Sequence, residues 1–93
     1  MIDAAKRNDV TALKTLLSTS TTNINYTDKD GTTALMWAAR NGHLETAQFL
    51  LTAGAELEAK DQFGRTALMR AAQSGHVAMV EYLVATRADL NAT

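Results

Sequence analysis

The sequence predicts an all-α solenoid of stacked antiparallel helix pairs joined by β-hairpin-like loops. Three observations predict it. The 93-residue chain repeats itself at an offset of 33 residues, and the windows starting at Gly31 and Gly64 are identical at 13 of 30 aligned positions. Eight of these identities fall in two blocks, T-A-L-M-x-A-A and G-H. Each window also reads as two short apolar runs separated by glycine, at Gly42 and Gly75. A unit of two short helices cannot bury its apolar face alone, so neighbouring units must stack on it.

The elements follow in order along one domain, residues 1–93. Residues 1–27 form a partial N-terminal capping repeat: "DAAKRNDVTALKTLL" aligns with "WAARNGHLETAQFLL" at an offset of 34. One extra residue within Ser18–Asn23 restores the 33 spacing. Its polar positions Asp3, Lys6, Arg7, Asp9, Thr11, Lys14 and Thr15 suit the solvent-facing end of a stack. In the second repeat, residues 28–60, Thr33 is a good N-cap, because its hydroxyl can accept from an orphan backbone N–H. A helix is predicted over Ala34–Arg40, ended by Gly42 in the left-handed conformation. A second is predicted over Leu44–Ala53, where Leu44, Ala47, Leu50 and Leu51 form a helical stripe, ended by Gly54. The stretch "AELEAKDQFG" alternates weakly and carries turn residues, as a hairpin-like loop would. The third repeat, residues 61–93, copies this with Thr66 and Gly75. Small side chains at Ala38, Ala39, Ala71 and Ala72 would let neighbouring helices approach closely.

The C-terminal unit does not read as a cap. Its second helix, "VAMVEYLVAT", carries one charge, Glu81. Val77, Met79, Val80, Tyr82, Leu83 and Val84 cannot all face inward on one helix. The expectation is that this surface is covered by further sequence of a parent protein or by self-association.

Composition narrows the function classes. Nine Lys and Arg against ten Asp and Glu give a net charge of −1, with no basic face evident, so no nucleic-acid partner is expected. No apolar run approaches the ~20 residues of a membrane span. The start, "MIDAAKRNDV", has no apolar h-region, so a cytoplasmic location is expected. Cysteine is absent, which excludes disulfides and thiolate metal sites.

Recurrence also sorts the reactive side chains. His43 and His76 occupy one repeat position, which points to structure rather than catalysis, and no third ligand completes a metal site. Asp28, Asp30 and Asp61 lack the spacing of a calcium loop, and Asp28 and Asp61 recur as turn-capping residues. Met36 and Met69 recur as expected core residues, and Gly31 and Gly64 as turn residues outside any phosphate-loop pattern. No catalytic residue, metal or cofactor is expected. The sequons at Asn25 and Asn91 are not expected to be glycosylated without a secretory leader.

The runs "DKDGTTALMWAARNGH" and "DQFGRTALMRAAQSGH", closed by "GAELEAKD" and "RADLNA", resemble the ankyrin repeat over essentially the whole chain. Three departures stand out. Alanine replaces the family's proline at Ala34 and Ala67, at little cost in helix propensity. Methionine replaces its histidine at Met36 and Met69, exchanging polar links for apolar packing. Arg87 stands where the helix-ending glycine belongs, so a loop unlike that at Gly54 is expected there. The resemblance implies that His43 and His76 pack in the turn between helices. It also marks Asn25 and Asn91 as loop asparagines of a kind hydroxylated in some eukaryotic members, although a side chain bonding its own turn is the simpler expectation.

The resemblance implies a non-catalytic module that binds another protein through a concave face of loop tips and first helices. The matching loop positions are Lys29, Asp30, Thr32, Gln62, Phe63 and Arg65, flanked by Thr27 and Lys60. The helix positions are Arg40, Asn41, Gln73 and Ser74, continued by Lys6 and Arg7. Trp37, Arg70 and Asp3 occupy one repeat position. A position that accepts Arg and Asp is expected to be at least partly exposed, since unpaired charges resist burial. That adds Trp37 and Arg70 to the surface, with Trp and Arg being residue types that dominate interface energies. The alternative is a fragment of a longer array, or an engineered consensus-like one, with a structural or self-associating role only.

Overall fold

The computed structural model describes residues 5–18, 24–25 and 27–91, with residues 16–18 and 88–91 by backbone only. Asp3, most of the run from Ser18 to Asn23, and the side chains of Leu16, Leu17 and Asn91 lie outside that description. Among the described residues, five helices can be bounded in order: α1 Val10–Ser18, α2 Ala34–Asn41, α3 Leu44–Thr52, α4 Ala67–Gln73 and α5 Val77–Asn91. Helices α2 and α3 form one antiparallel pair and α4 and α5 the next, and the inner helix α4 packs against α2.

The caps are those the sequence supplies. The hydroxyls of Thr33 and Thr66 accept from the N–H groups of Met36 and Met69, at 3.2 and 3.3 Å. Asp9 does the same ahead of α1, accepting from Ala12 N–H at 3.0 Å. Gly42 and Gly75 adopt positive φ of 72° and 75° after α2 and α4. Asn8 holds the equivalent place in the first unit at φ 58°, which asparagine tolerates better than most residues. Between α1 and α2, an antiparallel bridge joins Thr27 and Thr33 and closes the loop tip.

The core runs between the helix layers. Leu13, Leu35, Met36, Leu50, Leu57, Met79 and Leu83 are buried, with Ala5, Ala34, Ala38, Ala39, Ala47, Ala67 and Ala71 as the close-contact positions. Two expectations are corrected here. Met69 is 46% exposed and Ala72 is exposed, whereas their repeat equivalents Met36 and Ala39 are buried. These positions face the next unit outward: α4 packs against α2 in the second repeat, while no described residue covers their equivalents in the third. The expected loop at Arg87 does not form either. In the second repeat Gly54 turns at φ 103° and Ala55 N–H reaches back to Leu50 C=O at 2.9 Å. With arginine in that place the left-handed turn costs about 1–2 kcal/mol, and α5 continues as helix to Asn91.

The histidines join repeats rather than merely filling a turn. His43 Nε2 lies 2.9 Å from Lys6 C=O, and His76 Nε2 lies 3.0 Å from Arg40 C=O. Each imidazole thus satisfies a carbonyl at the end of the preceding unit's inner helix, one of the orphan acceptors every helix leaves. Asn25 also bonds across units, its side-chain oxygen accepting from Glu56 N–H at 2.8 Å.

Candidate interaction surface

Each loop tip is organised around a carboxylate. Asp28 Oδ1 accepts from the N–H groups of Asp30 and Thr32 at 2.9 and 3.0 Å, which fixes the turn through Gly31. Its Oδ2 accepts from the Trp37 indole at 3.1 Å. One repeat on, Asp61 Oδ1 accepts from Phe63 and Arg65 N–H at 2.8 and 2.9 Å. Its Oδ2 takes Arg65 Nε at 2.9 Å and Arg70 Nη2 at 3.0 Å. Trp37 and Arg70 therefore do one task with different chemistry: each reaches nine residues back to the loop aspartate.

The electrostatics follow. Burial alone would raise both carboxyls. For Asp28 the hydrogen bonds from Thr32, Trp37 and Asp30, with the charge of Lys6, outweigh burial and hold the group below its ordinary value. For Asp61 the N–H groups of Arg65 and Phe63, and then the Arg65 side chain, bring it down to about 2.

This arrangement corrects two expected surface residues. Arg70 is buried, at 8% exposure, because Asp61 pairs with its guanidinium and Thr32 accepts a second bond from Nη2 at 3.1 Å. Thr32 is buried beneath it, at 1% exposure. Charge at a repeat position did not mean exposure, since the countercharge sits in the same repeat. Arg70 Nε is buried without an acceptor, a residual cost of the site.

The remaining positions lie on the surface. Lys29, Asp30, Arg40, Asn41, Lys60, Gln62, Phe63, Gln73 and Ser74 are exposed, and Arg65 and Trp37 are half-buried. The structure joins several of them. Gln62 bonds Asp30 across the two loop tips, through N–H to C=O at 3.1 Å and side chain to side chain at 3.2 Å. Lys6 Nζ lies 4.2 Å from the Trp37 ring centroid and Arg40 Cζ lies 5.1 Å from it. Phe63 is 67% exposed, with Arg65 Cζ 4.9 Å from its ring centroid. Among the described residues, Lys29, Lys60, Gln73 and Ser74 belong to neither cation–aromatic centre. Lys6 is the surface residue that recurrence undervalued: its link to Trp37 spans two repeats and has no mark in local spacing. Among the described residues no group of three or more His, Asp or Glu converges to hold a metal ion, and no helix is long and apolar enough to cross a membrane.

Comparison with known proteins adds the following. The family profile described as ankyrin repeats (3 copies) matches residues 1–93. NAD-capped RNA hydrolase NUDT12 of Homo sapiens is 49% identical over 51 residues, covering 55% of this chain and 11% of that protein. Palmitoyltransferase akr1 of Schizosaccharomyces pombe is 40% identical over 52 residues, covering 56% of this chain and 8% of that protein. Cortactin-binding protein 2 of Aotus nancymaae is 44% identical over 52 residues, covering 56% of this chain and 3% of that protein. The chain therefore spans about a tenth or less of the length of the curated relatives it matches. A chain in the solved structure of the Bd0816 predatory endopeptidase from Bdellovibrio bacteriovorus in complex with immunity protein Bd3460 is also similar. It superposes with a TM-score of 0.83 at 34% identity, over 89% of this chain and 43% of that one.

Proposed function

The chain belongs to the ankyrin-repeat family, and from that premise we propose that it binds a protein partner through its inner helices and loop tips without catalysing a reaction itself. Repeats of this family are protein-interaction modules. Enzymes occur among the relatives, with the repeats as a separate part, so the catalytic names of those relatives belong to segments this chain does not match.

The observation that carries the reading is Phe63. It is 67% exposed at a loop tip, makes no contribution to the core, and stands under a guanidinium. Large aromatic side chains beside arginine are typical of residues that dominate binding energy. Phe63→Ala is therefore expected to leave unfolding free energy within about 0.5 kcal/mol of wild type. It is expected to weaken retention of proteins from the source cell's extract by about tenfold. A variant that retains the same proteins at the same level would remove the loop tip from the binding surface.

A second reading, self-association, is favoured by a separate observation. Met69, Val77 and Val84 are 46%, 66% and 49% exposed on the outward face of the third repeat. If this face pairs with a second copy, sedimentation at increasing concentration reports a dimer, and Val77→Lys with Val84→Lys returns it to monomer. A wild-type chain that stays monomeric throughout the concentration series ends this reading.

A further inference from the structure

The charges of this chain are sorted by face. Its net charge is only −1. Yet seven of the nine Lys and Arg lie on inner helices or loop tips, leaving Lys14 on α1 and Arg87 on α5. The acids are sorted the other way. Glu45 and Glu81 lie on the outer helices α3 and α5. On the inner side, Asp28 and Asp61 turn their oxygens into hydrogen bonds of their own loops. Asp30 is exposed at a loop tip, where Gln62 engages it, and Glu56 and Glu58 are exposed in the loop after α3, Glu58 paired with Arg87.

The two cation–aromatic centres lie on this basic side. A continuous path of hydrogen bonds joins them, from Trp37 through Asp28, Thr32, Arg70 and Asp61 to Arg65. Among the described residues, neither Lys6 nor Arg40 takes part in a salt bridge. Both are exposed, and both sit over one indole ring. The ring face attracts both cations. The carboxylate near them, Asp28, spends its oxygens on its own loop and on the Trp37 indole, so its charge offsets that of Lys6 only in part.

We infer that the inner surface is built for an acidic segment of its protein partner, with carboxylates seated between Lys6 and Arg40 across Trp37 and an apolar side chain against Phe63. This rests on the protein-binding reading above and adds the chemistry of the partner. A carboxylate there accepts charge-assisted hydrogen bonds from the Lys6 ammonium and the Arg40 guanidinium. Nucleic acid fits less well. Trp37 is already occupied by cations, which removes a stacking platform.

The test uses the single tryptophan of the chain as reporter. Trp37 emission is followed while the whole chain is titrated with deca-glutamate, deca-lysine or a dT10 oligonucleotide, at low and at physiological salt. Deca-glutamate is expected to shift the emission saturably, about tenfold more weakly at physiological salt. K6A with R40A is expected to weaken binding a further tenfold or so. Lys14→Ala, on the outer helix, is expected to change nothing. The double variant keeps the backbone carbonyls that bond His43 and His76, so circular dichroism should report an unchanged fold. Three results overturn the inference: no shift with deca-glutamate, equal loss in Lys14→Ala, or tighter binding of the oligonucleotide. If Phe63→Ala still releases retained proteins while salt and K6A with R40A leave that retention untouched, the module binds protein but not by acidic recognition.

Discussion

Asp61→Ala is expected to destabilise the chain by about 3–5 kcal/mol, because it strands a buried guanidinium without its countercharge. The Asp61 side chain is fully buried and that of Arg70 is 9% exposed, so water cannot substitute for the lost partner. The same change releases the N–H groups of Phe63 and Arg65 that hold the loop turn. Domains of this size have total stabilities of about 5–15 kcal/mol, so the third repeat should unfold first under urea. Asp61→Asn keeps an oxygen for those N–H groups but not the charge, and should cost less. The wild type should show the same dependence in acid. Its Asp61 carboxyl is lowered from 3.8 to about 2, so its contribution is complete above about pH 4 and is lost as pH falls through about 2. The shift corresponds to about 2 kcal/mol, and Asp61→Asn should flatten the acid limb of a stability-versus-pH curve by that amount. An unfolding free energy for Asp61→Ala within about 1 kcal/mol of wild type, from urea titration, would show that the ion pair is dispensable.

Gly42→Ala and Gly75→Ala should differ, although both glycines have nearly the same backbone. Their φ angles are 72° and 75°, and any L side chain there costs about 1–2 kcal/mol. At Gly75 a new Cβ meets nothing within 4 Å. At Gly42 it lies 2.8 Å from Cε1 and Nδ1 of the His76 ring. The ring must move, and its 3.0 Å contact with Arg40 C=O goes with it. Gly42→Ala is therefore expected to cost about 1 kcal/mol more than Gly75→Ala. Equal urea midpoints for the two variants would mean that His76 moves aside freely and does not tie the repeats.

The repeat period, the threonine caps and the glycine stops were legible in the sequence because each depends on residues a few positions apart. The helix α2 is one residue longer at its end than expected, Asn41 rather than Arg40, and α3 one shorter. The burial of Arg70 and Thr32 was not legible. Their contact links residues 38 apart, and the comparison of Trp37 with Arg70 was taken to signal exposure when the two share a hydrogen-bond donor aimed at an aspartate. Met69 and Ala72 carry the same letters as Met36 and Ala39, yet a letter cannot say whether a neighbour lies on top of it. Arg87 was recognised as irregular, but the sequence pattern favoured another loop over continuation of the helix. The loop positions Phe63, Asp30 and Gln62 were legible as surface because they differ between repeats, while the cations gathered on Trp37 come from separate units.

The links made by His43 and His76 have one more consequence. They grip main-chain oxygens of Lys6 and Arg40, atoms that every amino acid possesses. The side chains of those same two residues stand over Trp37. On the proposed reading, assembly and recognition are thus assigned to different atoms of one residue. Drift at these positions can retune what the surface selects without loosening the joint between units, which leaves the scaffold free to acquire new specificities while its architecture is inherited unchanged.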